Sequence, residues 1–432
     1  MESIWLHTAK LPKFERLERK IKTDVLIIGG GLAGLLCAYA LSKEGIDYVL
    51  IEAERIGAGT TGYTTAKITS QHGLIYSELF RRFGAEKTRM YLEANESALE
   101  QYRKLAQGID CDFEEKDSAV YSTDRKDRIE QELDTLERIG YSADGLTQLP
   151  IPISIEGAVR FKRQAQFNPL KFLQGIVPGL NIYEGTAARA FEGRTVRTEK
   201  GSIRAEQIIV ATHFPLFNKH GAYFLKMYQD RSYVLALERG PDMGGMYRDE
   251  KKTGFSFRNY QGMLLLGGGS HRTGKQSEGW KPLSEFASRH YPGARERYRW
   301  AAQDCITLDS MPYIGRYAKG IPGVYVATGF NKWGMTSSMI AAGMLCDMVQ
   351  GKKNPYESLF SPSRSILHPQ LAINAIESAG NLLTPTRPRC PHMGCALKWN
   401  KQERSWDCPC HGSRFSGRGE LLNDPATDDL SL

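Results

Sequence analysis

One stretch near the front of the chain constrains the fold more than any other. Asp24-Val25-Leu26-Ile27-Ile28-Gly29 is a short apolar run of the kind expected for a strand buried on both faces. It enters Gly29-Gly30-Gly31-Leu32-Ala33-Gly34. Leu35–Glu44 then has helical character, and Tyr48-Val49-Leu50-Ile51-Glu52 is a second strand ending in an acid. This is G-x-G-x-x-G between strand and helix, with a carboxylate about twenty residues on, the pattern that grips a dinucleotide. Gly29 allows the tight turn, Gly31 lets a pyrophosphate approach the backbone, and Gly34 lets the helix pack closely. The helix N-terminus, opening with Leu32 and Ala33, supplies N–H donors and a positive dipole end. Glu52 would accept from a ribose hydroxyl.

The other end of the chain carries two short boxes, Cys390-Pro391-His392-Met393-Gly394-Cys395 and Cys408-Pro409-Cys410-His411-Gly412-Ser413. C-x-H followed about fifteen residues later by C-x-x-H lets one thiolate and one imidazole come from each of two facing loops. That donor set suits a [2Fe–2S] centre in which two His replace two Cys on one iron. A zinc site with two Cys and two His, or unconnected buried thiols, are the alternatives. Zinc fingers usually pair their ligands as C-x-x-C and H-x-x-x-H, so this order suits zinc poorly.

The two boxes resemble the cluster loops of Rieske proteins. The resemblance implies that Cys390 and Cys408 bind one iron and His392 and His411 the other. It also implies a disulfide between Cys395 and Cys410, as in the respiratory type. Ser413 would place a hydroxyl near a bridging sulfide, and Asn423-Asp424-Pro425-Ala426 resembles the proline loop over the cluster. Phe415 stands where high-potential members have a Tyr that hydrogen-bonds a sulfur, so a lower potential is expected. Upstream, Leu371–Leu383 reads as a helix running into the breaker Thr384-Pro385-Thr386-Arg387-Pro388. The strands that should precede box I are therefore missing, and the Rieske part is expected to be shortened.

The stretch Glu52-Ala53-Glu54-Arg55-Ile56-Gly57-Ala58-Gly59-Thr60-Thr61-Gly62-Tyr63-Thr64-Thr65-Ala66-Lys67 resembles the second flavin-binding segment of the D-amino-acid oxidase/glycine oxidase (DAO) family. So do Ala165–Pro169 with helix Leu170–Ile176, Asn181–Phe191, Ala205–Thr212, and Asp309–Gly315 leading to strand Val324–Thr328 and helix Ser337–Val349. The resemblance covers about Asp24 to Gly351. It implies FAD, with Ala53, Thr60 and Thr61 at the ribose and phosphates. Thr65, Ala66 and Lys67 would lie near the flavin ring, and Ala188 on the adenine side. Gly329, Asn331, Lys332, Trp333, Gly334 and Met335 would lie at the flavin's pyrimidine edge. In the family an Arg holds the substrate carboxylate; Asp304 occupies that position here. A carboxylate there would suit a cationic amine, or serve only a backbone turn. No catalytic acid or base is evident. Arg258, Tyr260 and His271, on strands that would cover the flavin, are read as structural residues.

The expected fold is α/β. An FAD-binding, Rossmann-like unit carries an antiparallel-sheet substrate domain, and a small β segment at the end binds the cluster. Residues 1–20 would form an extension, 21–360 the flavoenzyme, 361–388 a helical linker and 389–432 the Rieske segment. Within the flavoenzyme, 21–80, 155–225 and 300–360 would bind FAD, and 81–154 and 226–299 substrate. Strand Met263–Leu266 would end at Gly267-Gly268-Gly269, and Ala85–Gly108 and Arg125–Gly140 would be helices. Absent a second complete glycine motif and a flavin-proximal Cys pair, NAD(P)H-linked disulfide reductases are excluded.

The implied activity is FAD-dependent oxidation of a small organic, amine-type substrate, with electrons passing through the cluster to an external acceptor. A flavoenzyme with an empty Rieske remnant and a flavin/iron–sulfur redox sensor are the rivals. The net charge of +8 is dispersed rather than blocked, which argues against a nucleic-acid partner. No apolar run is long enough to span a membrane, and the polar N-terminus does not resemble a signal peptide. Eight cysteines, half of them in the final boxes, do not form a secreted disulfide framework, so a cytoplasmic setting is expected. Oligomeric state is not legible.

Overall fold

A computed structural model describes residues 2–216, 220–386 and 388–431. Met1, Arg387 and Leu432, which fall in the expected extension, breaker and cluster segment, lie outside the described residues, as do positions 217–219. The apolar run at the front forms strand Lys20–Ile28, paired in parallel with Ser202–Val210 on one side and Tyr48–Ile51 on the other. Val324–Thr328 and Ile182–Tyr183 extend this sheet in parallel outward on the two sides, and Tyr313–Arg316 adds an antiparallel edge. Helices Leu32–Lys43 and Gly334–Val349 pack together over it. Both are apolar all round, as helices buried between layers must be.

A nine-stranded sheet stands beside the first, in the order Arg295–Thr307, Met227–Glu238, Met263–Arg272, Ser256–Tyr260, Met246–Asp249, Glu114–Ser122, Gly157–Gln166 and Lys67–Ile68, with Asp144–Leu146 on Gly157–Gln166. It is antiparallel except where Met246–Asp249 runs parallel to Glu114–Ser122. Gly157–Gln166 and the whole of Arg295–Thr307 belong to this sheet. Gly267–Gly269 does not end its strand, which continues to Arg272. Close packing explains those glycines: a Cβ at Gly267 would sit 2.6 Å from Ser256 Oγ. The expected helix from Ala85 is present: Gly84, at φ 79°, breaks Tyr76–Ala106 into a short leading helix and the longer one that starts at Ala85.

The expected N-terminal extension is anchored near its start. Ile4 and Trp5 are fully buried, and Trp5 Nε1 donates to the Thr64 carbonyl at 2.7 Å, fastening the N-terminus over the flavin-loop segment.

At the other end, Lys398–Asn400, Ser405–Asp407, Arg414–Ser416 and Leu421–Asn423 form an antiparallel four-stranded sheet. Every described strand of it follows box I, as the sequence implied. The expected linker helix is present as Pro369–Leu383. Its polar face turns inward: Asn374 and Asn381 are buried, while Ile373 and Ile376 are 48% and 71% exposed. No described helix is long and apolar enough to cross a membrane.

Candidate functional site

A cleft of about 350 Å³ runs along the C-terminal ends of the parallel strands. That lies within the ~300–1,000 Å³ of small-molecule and cofactor pockets. Gly29 turns at φ 112°, and Gly31 faces the cleft, where an added Cβ would meet only Thr61 Oγ1 at 3.5 Å. The backbone is thus bare where an elongated ligand would pass. At Gly34 a Cβ would lie 1.9 Å from the Gly29 carbonyl oxygen, so its role is packing and it does not line the cleft.

Glu52 reaches the cleft while accepting from Gly30 N–H at 2.6 Å and Glu54 N–H at 2.9 Å. Burial raises its pKa, and those two N–H groups oppose the rise. Each oxygen keeps acceptor capacity for a ribose hydroxyl. Thr61 Oγ1 accepts from Leu32 N–H at 3.0 Å and keeps its own O–H to donate toward a phosphate, whereas Thr60 Oγ1 commits its O–H to the Gln303 carbonyl at 3.2 Å.

Leu32, Ala33, Ala53, Ala188, Gly329, Asn331, Lys332, Gly334 and Met335 also line this cleft. Thr65, Lys67 and Trp333 instead line a second cavity, which shares Asp304, Lys332, Gly334 and Met335 with the first. Ala66 lines neither. It is fully buried, and its carbonyl accepts from the Arg258 guanidinium at 2.8 Å.

The second cavity lies between the cleft and the face of the nine-stranded sheet, and it is charged. Asp304 and Lys332 stand at the shared mouth; Arg248, Lys252 and Lys67 line the interior. Lys332 Nζ donates to Ser270 Oγ at 2.7 Å and lies 3.9 Å from Asp230. The Asp304 side chain, on a strand paired at Asp230, has no hydrogen bond or close ion pair among the described residues. Burial raises its pKa, and Lys332 and His213 oppose the rise. Arg248 is likewise without a hydrogen bond or close ion pair among the described residues, with its guanidinium 5.0 Å from the Trp333 ring centre. Burial lowers its pKa, against Asp304. Burial, then Arg248 and Arg258, pushes Lys67 down to about 7.

Arg258, Tyr260 and His271 are structural, as read from the sequence. Arg258 holds the Thr65 and Ala66 carbonyls, Tyr260 donates to Asp112 at 2.6 Å, and His271 pairs with the Tyr233 hydroxyl at 3.0 Å.

In the C-terminal segment the two boxes face each other. His392 and His411 have ring centres 4.9 Å apart, and all four ring nitrogens are buried without a partner among the described residues. Burial pushes them down to about 4 and about 3, so both are neutral imidazoles, the form that binds metal. Cys390 and Cys408 are buried beside them, and the sulfurs of Cys395, Cys408 and Cys410 lie within 4.8 Å of one another. This donor set fits a [2Fe–2S] group, with Cys390, Cys408, His392 and His411 available to hold it. The expected Cys395–Cys410 disulfide is not formed here: both are free thiols. The Ser413 hydroxyl accepts from Ala426 N–H at 3.0 Å, tying box II to the proline loop.

Part of the support that upstream strands would have given comes from the flavin unit. Arg272, ending a strand of the large sheet, donates to the Pro409 and Cys410 carbonyls at 3.0 and 3.1 Å. Gln303 donates to the Gly412 carbonyl at 2.8 Å. Arg231 pairs with Glu403, which also takes Arg414 at 3.0 Å and the Tyr233 hydroxyl at 3.0 Å.

Sequence reading missed Arg248, Lys252 and Ser270, which come together only through the sheet, and Ser338, one turn inside a helix already assigned to the site. It also missed His213, Cys305 and the Leu422–Asp424 wall of the cleft.

The FAD dependent oxidoreductase (DAO) family model matches residues 24–348, and the Rieske [2Fe-2S] domain model matches residues 365–431. A Rieske 2Fe-2S iron-sulfur protein of Bacillus subtilis (strain 168) is 35% identical over 99% of this chain and 97% of its own length. The gamma-glutamylputrescine oxidoreductase of Escherichia coli (strain K12) is 24% identical over 81% of this chain and 88% of its own length. Glycine oxidase from Geobacillus kaustophilus shares the fold, with a TM-score of 0.66 at 20% identity over 80% of this chain and 99% of that one. With the bare glycine turn, the long cleft and the paired Cys/His loops, these matches show that the chain belongs to the DAO family of FAD-dependent oxidoreductases and carries a C-terminal Rieske [2Fe–2S] domain.

Proposed function

We propose that the protein oxidises an amine that also bears an acid group, and passes the electrons through its Rieske centre to an external acceptor. The observation that carries this reading is the second cavity, where an unpaired carboxylate, Asp304, and an unpaired guanidinium, Arg248, line the same space. A ligand with both charges satisfies both groups, whereas a simple amine leaves the half-buried Arg248 guanidinium with no anionic partner. Lys252 adds to the positive side, and Lys67, pushed down to about 7, adds to it only in part at neutral pH. Gamma-glutamylputrescine oxidoreductase and glycine oxidase are both named for nitrogen-bearing compounds, in keeping with an amine.

FAD bound in the cleft would supply a two-electron acceptor for the C–H beside the amine nitrogen, and the cluster would supply a one-electron carrier. The proton released from the ammonium passes to Asp304 or to solvent. The chain's own residues orient the substrate. Asp304 receives the ammonium at the mouth shared with the flavin cleft, which brings the adjacent C–H toward the ring. Arg248 and Lys252 hold the acid group deeper in. Trp333 stacks on His72 with ring centres 4.6 Å apart and forms a flat, fixed wall. Burial holds His72 at about 3, so it adds no charge to that wall.

The test is anaerobic mixing of the loaded enzyme with amines that do and do not carry a carboxylate or phosphate. Acid-bearing amines are expected to bleach the flavin and bring up the reduced-cluster EPR signal. Asp304→Asn and Arg248→Met should each weaken the response at least about tenfold, given about 1.5–3 kcal/mol for a hydrogen bond to a charged group. If no amine bleaches the flavin, the reading fails.

Phe415 gives an independent check on the cluster. It is fully buried among the four cysteines of the boxes. Phe415→Tyr is expected to raise the reduction potential by supplying a donor to a cluster sulfur. An EPR-monitored titration that finds no rise would count against this placement.

A further inference from the structure

The cleft that fits FAD is not closed by the flavin unit alone. One part of its wall is Leu422, Asn423 and Asp424, from the proline-loop region of the cluster segment. Asp424 is held on the flavin side: its carboxylate accepts from His213 Nδ1 at 3.3 Å and from Phe214 N–H at 3.1 Å. Its carbonyl accepts from Gln229 at 3.1 Å.

His213 and Phe214 follow the central Ser202–Val210 strand and face opposite ways. His213 lines the cleft, 3.7 Å from Cys305 Sγ, and its Nε2 is buried without a partner among the described residues. The Phe214 ring centre lies 6.2 Å from that of His392. One dipeptide therefore touches the cleft on one side and a cluster ligand loop on the other, with Asp424 clasping both residues.

We propose that the cluster segment supplies part of the FAD site, with His213 the positioning residue that joins the two cofactor sites so that filling either tightens the other. This rests on the cluster being held, not on the amine reading. Holding the iron fixes box II, which Ser413 ties to Ala426 at 3.0 Å. A fixed proline loop keeps Asn423 and Asp424 against the cleft. FAD, in turn, pins the loop from the other side. Linkage requires the effect to be reciprocal.

The experiment measures the FAD dissociation constant of the full chain by flavin fluorescence, in the anaerobically iron-loaded and the iron-free forms. Wild type is expected to bind FAD at least about fivefold more tightly when iron-loaded, the lower end of typical couplings of about 5–150-fold. In His213→Gln and Asp424→Asn the ratio should fall to about one, while the reduced-cluster EPR signal and thermal unfolding show a loaded, folded chain. Equal FAD affinity in both wild-type forms would overturn the proposal, as would a ratio that survives both substitutions. A chain that takes up no iron on anaerobic reconstitution would overturn it too. A chain that shows the linkage while no amine bleaches its flavin leaves this proposal standing and removes only the substrate reading.

Discussion

Glu403→Ala is expected to loosen the cluster segment from the flavin unit and to cost about 3–5 kcal/mol, the range for removing one partner of a buried ion pair. Glu403 is 4% exposed, and its removal strands two guanidiniums that are nearly as buried, Arg231 on the large sheet and Arg414 in the segment. Arg414 keeps Asp407 at 2.9 Å, so the heavier loss falls on Arg231, across the joint. Thermal unfolding with limited proteolysis checks this: cleavage between 384 and 400 should become fast while the flavin unit persists. An unchanged melting temperature and digestion pattern would refute it.

The same carboxyl predicts an acid limit. Burial alone would raise its pKa, but Arg231 and Arg414 outweigh burial and hold it at about 2, below the ordinary 4.5. A depressed carboxyl contributes its stability above the unfolded value and loses it as the pH falls toward the folded one. Wild type should therefore shed this contribution between about pH 4.5 and 2, and Glu403→Gln should show a flatter profile there.

Gly34→Ala is expected to empty the flavin site. The new methyl would lie 1.9 Å from the Gly29 carbonyl oxygen and 3.1 Å from its carbon, both backbone atoms of the turn that shapes the cleft. Overpacking usually costs about 1–3 kcal/mol when side chains can move aside; here the helix itself must retreat. Gly343→Ala is the control. It sits in the Gly334–Val349 helix with no atom within 4 Å of an added Cβ, and should gain about 0.8–1.0 kcal/mol of helix propensity. The flavin-to-protein ratio of the purified variants decides. A fully yellow Gly34→Ala protein would contradict the packing argument.

What was legible in the sequence was whatever chemistry is local. The Gly29–Gly34 turn, its flanking strands and Glu52 lie within one short crossover unit, so pattern alone assigned them. The Cys/His boxes were legible for the same reason, and the shortage of strands ahead of box I followed from one helix pattern and one proline-rich breaker. The charges of the second cavity were not. Arg248 lies on a four-residue strand whose parallel partner, Glu114–Ser122, is more than a hundred residues away, and nothing in Met246–Asp249 signals that pairing. The reading of Asp304 placed it at the pocket but could not see Arg248 near it. Ala66 lines neither cavity for a local reason: it sits at φ 53° inside a stretch of small residues, and the backbone turn there buries it.

The borrowed footing of box II bears on how such a tail can be inherited. A module complete in itself can be moved between genes and still work, because nothing it needs is left behind. This one leans on Arg272, Gln303 and Arg231, which are encoded far upstream. Grafted onto another host it would arrive with its ligands but without their brace. Its seating therefore depends on the surface beneath it, and a substitution on either side of the seam is expected to be felt on the other.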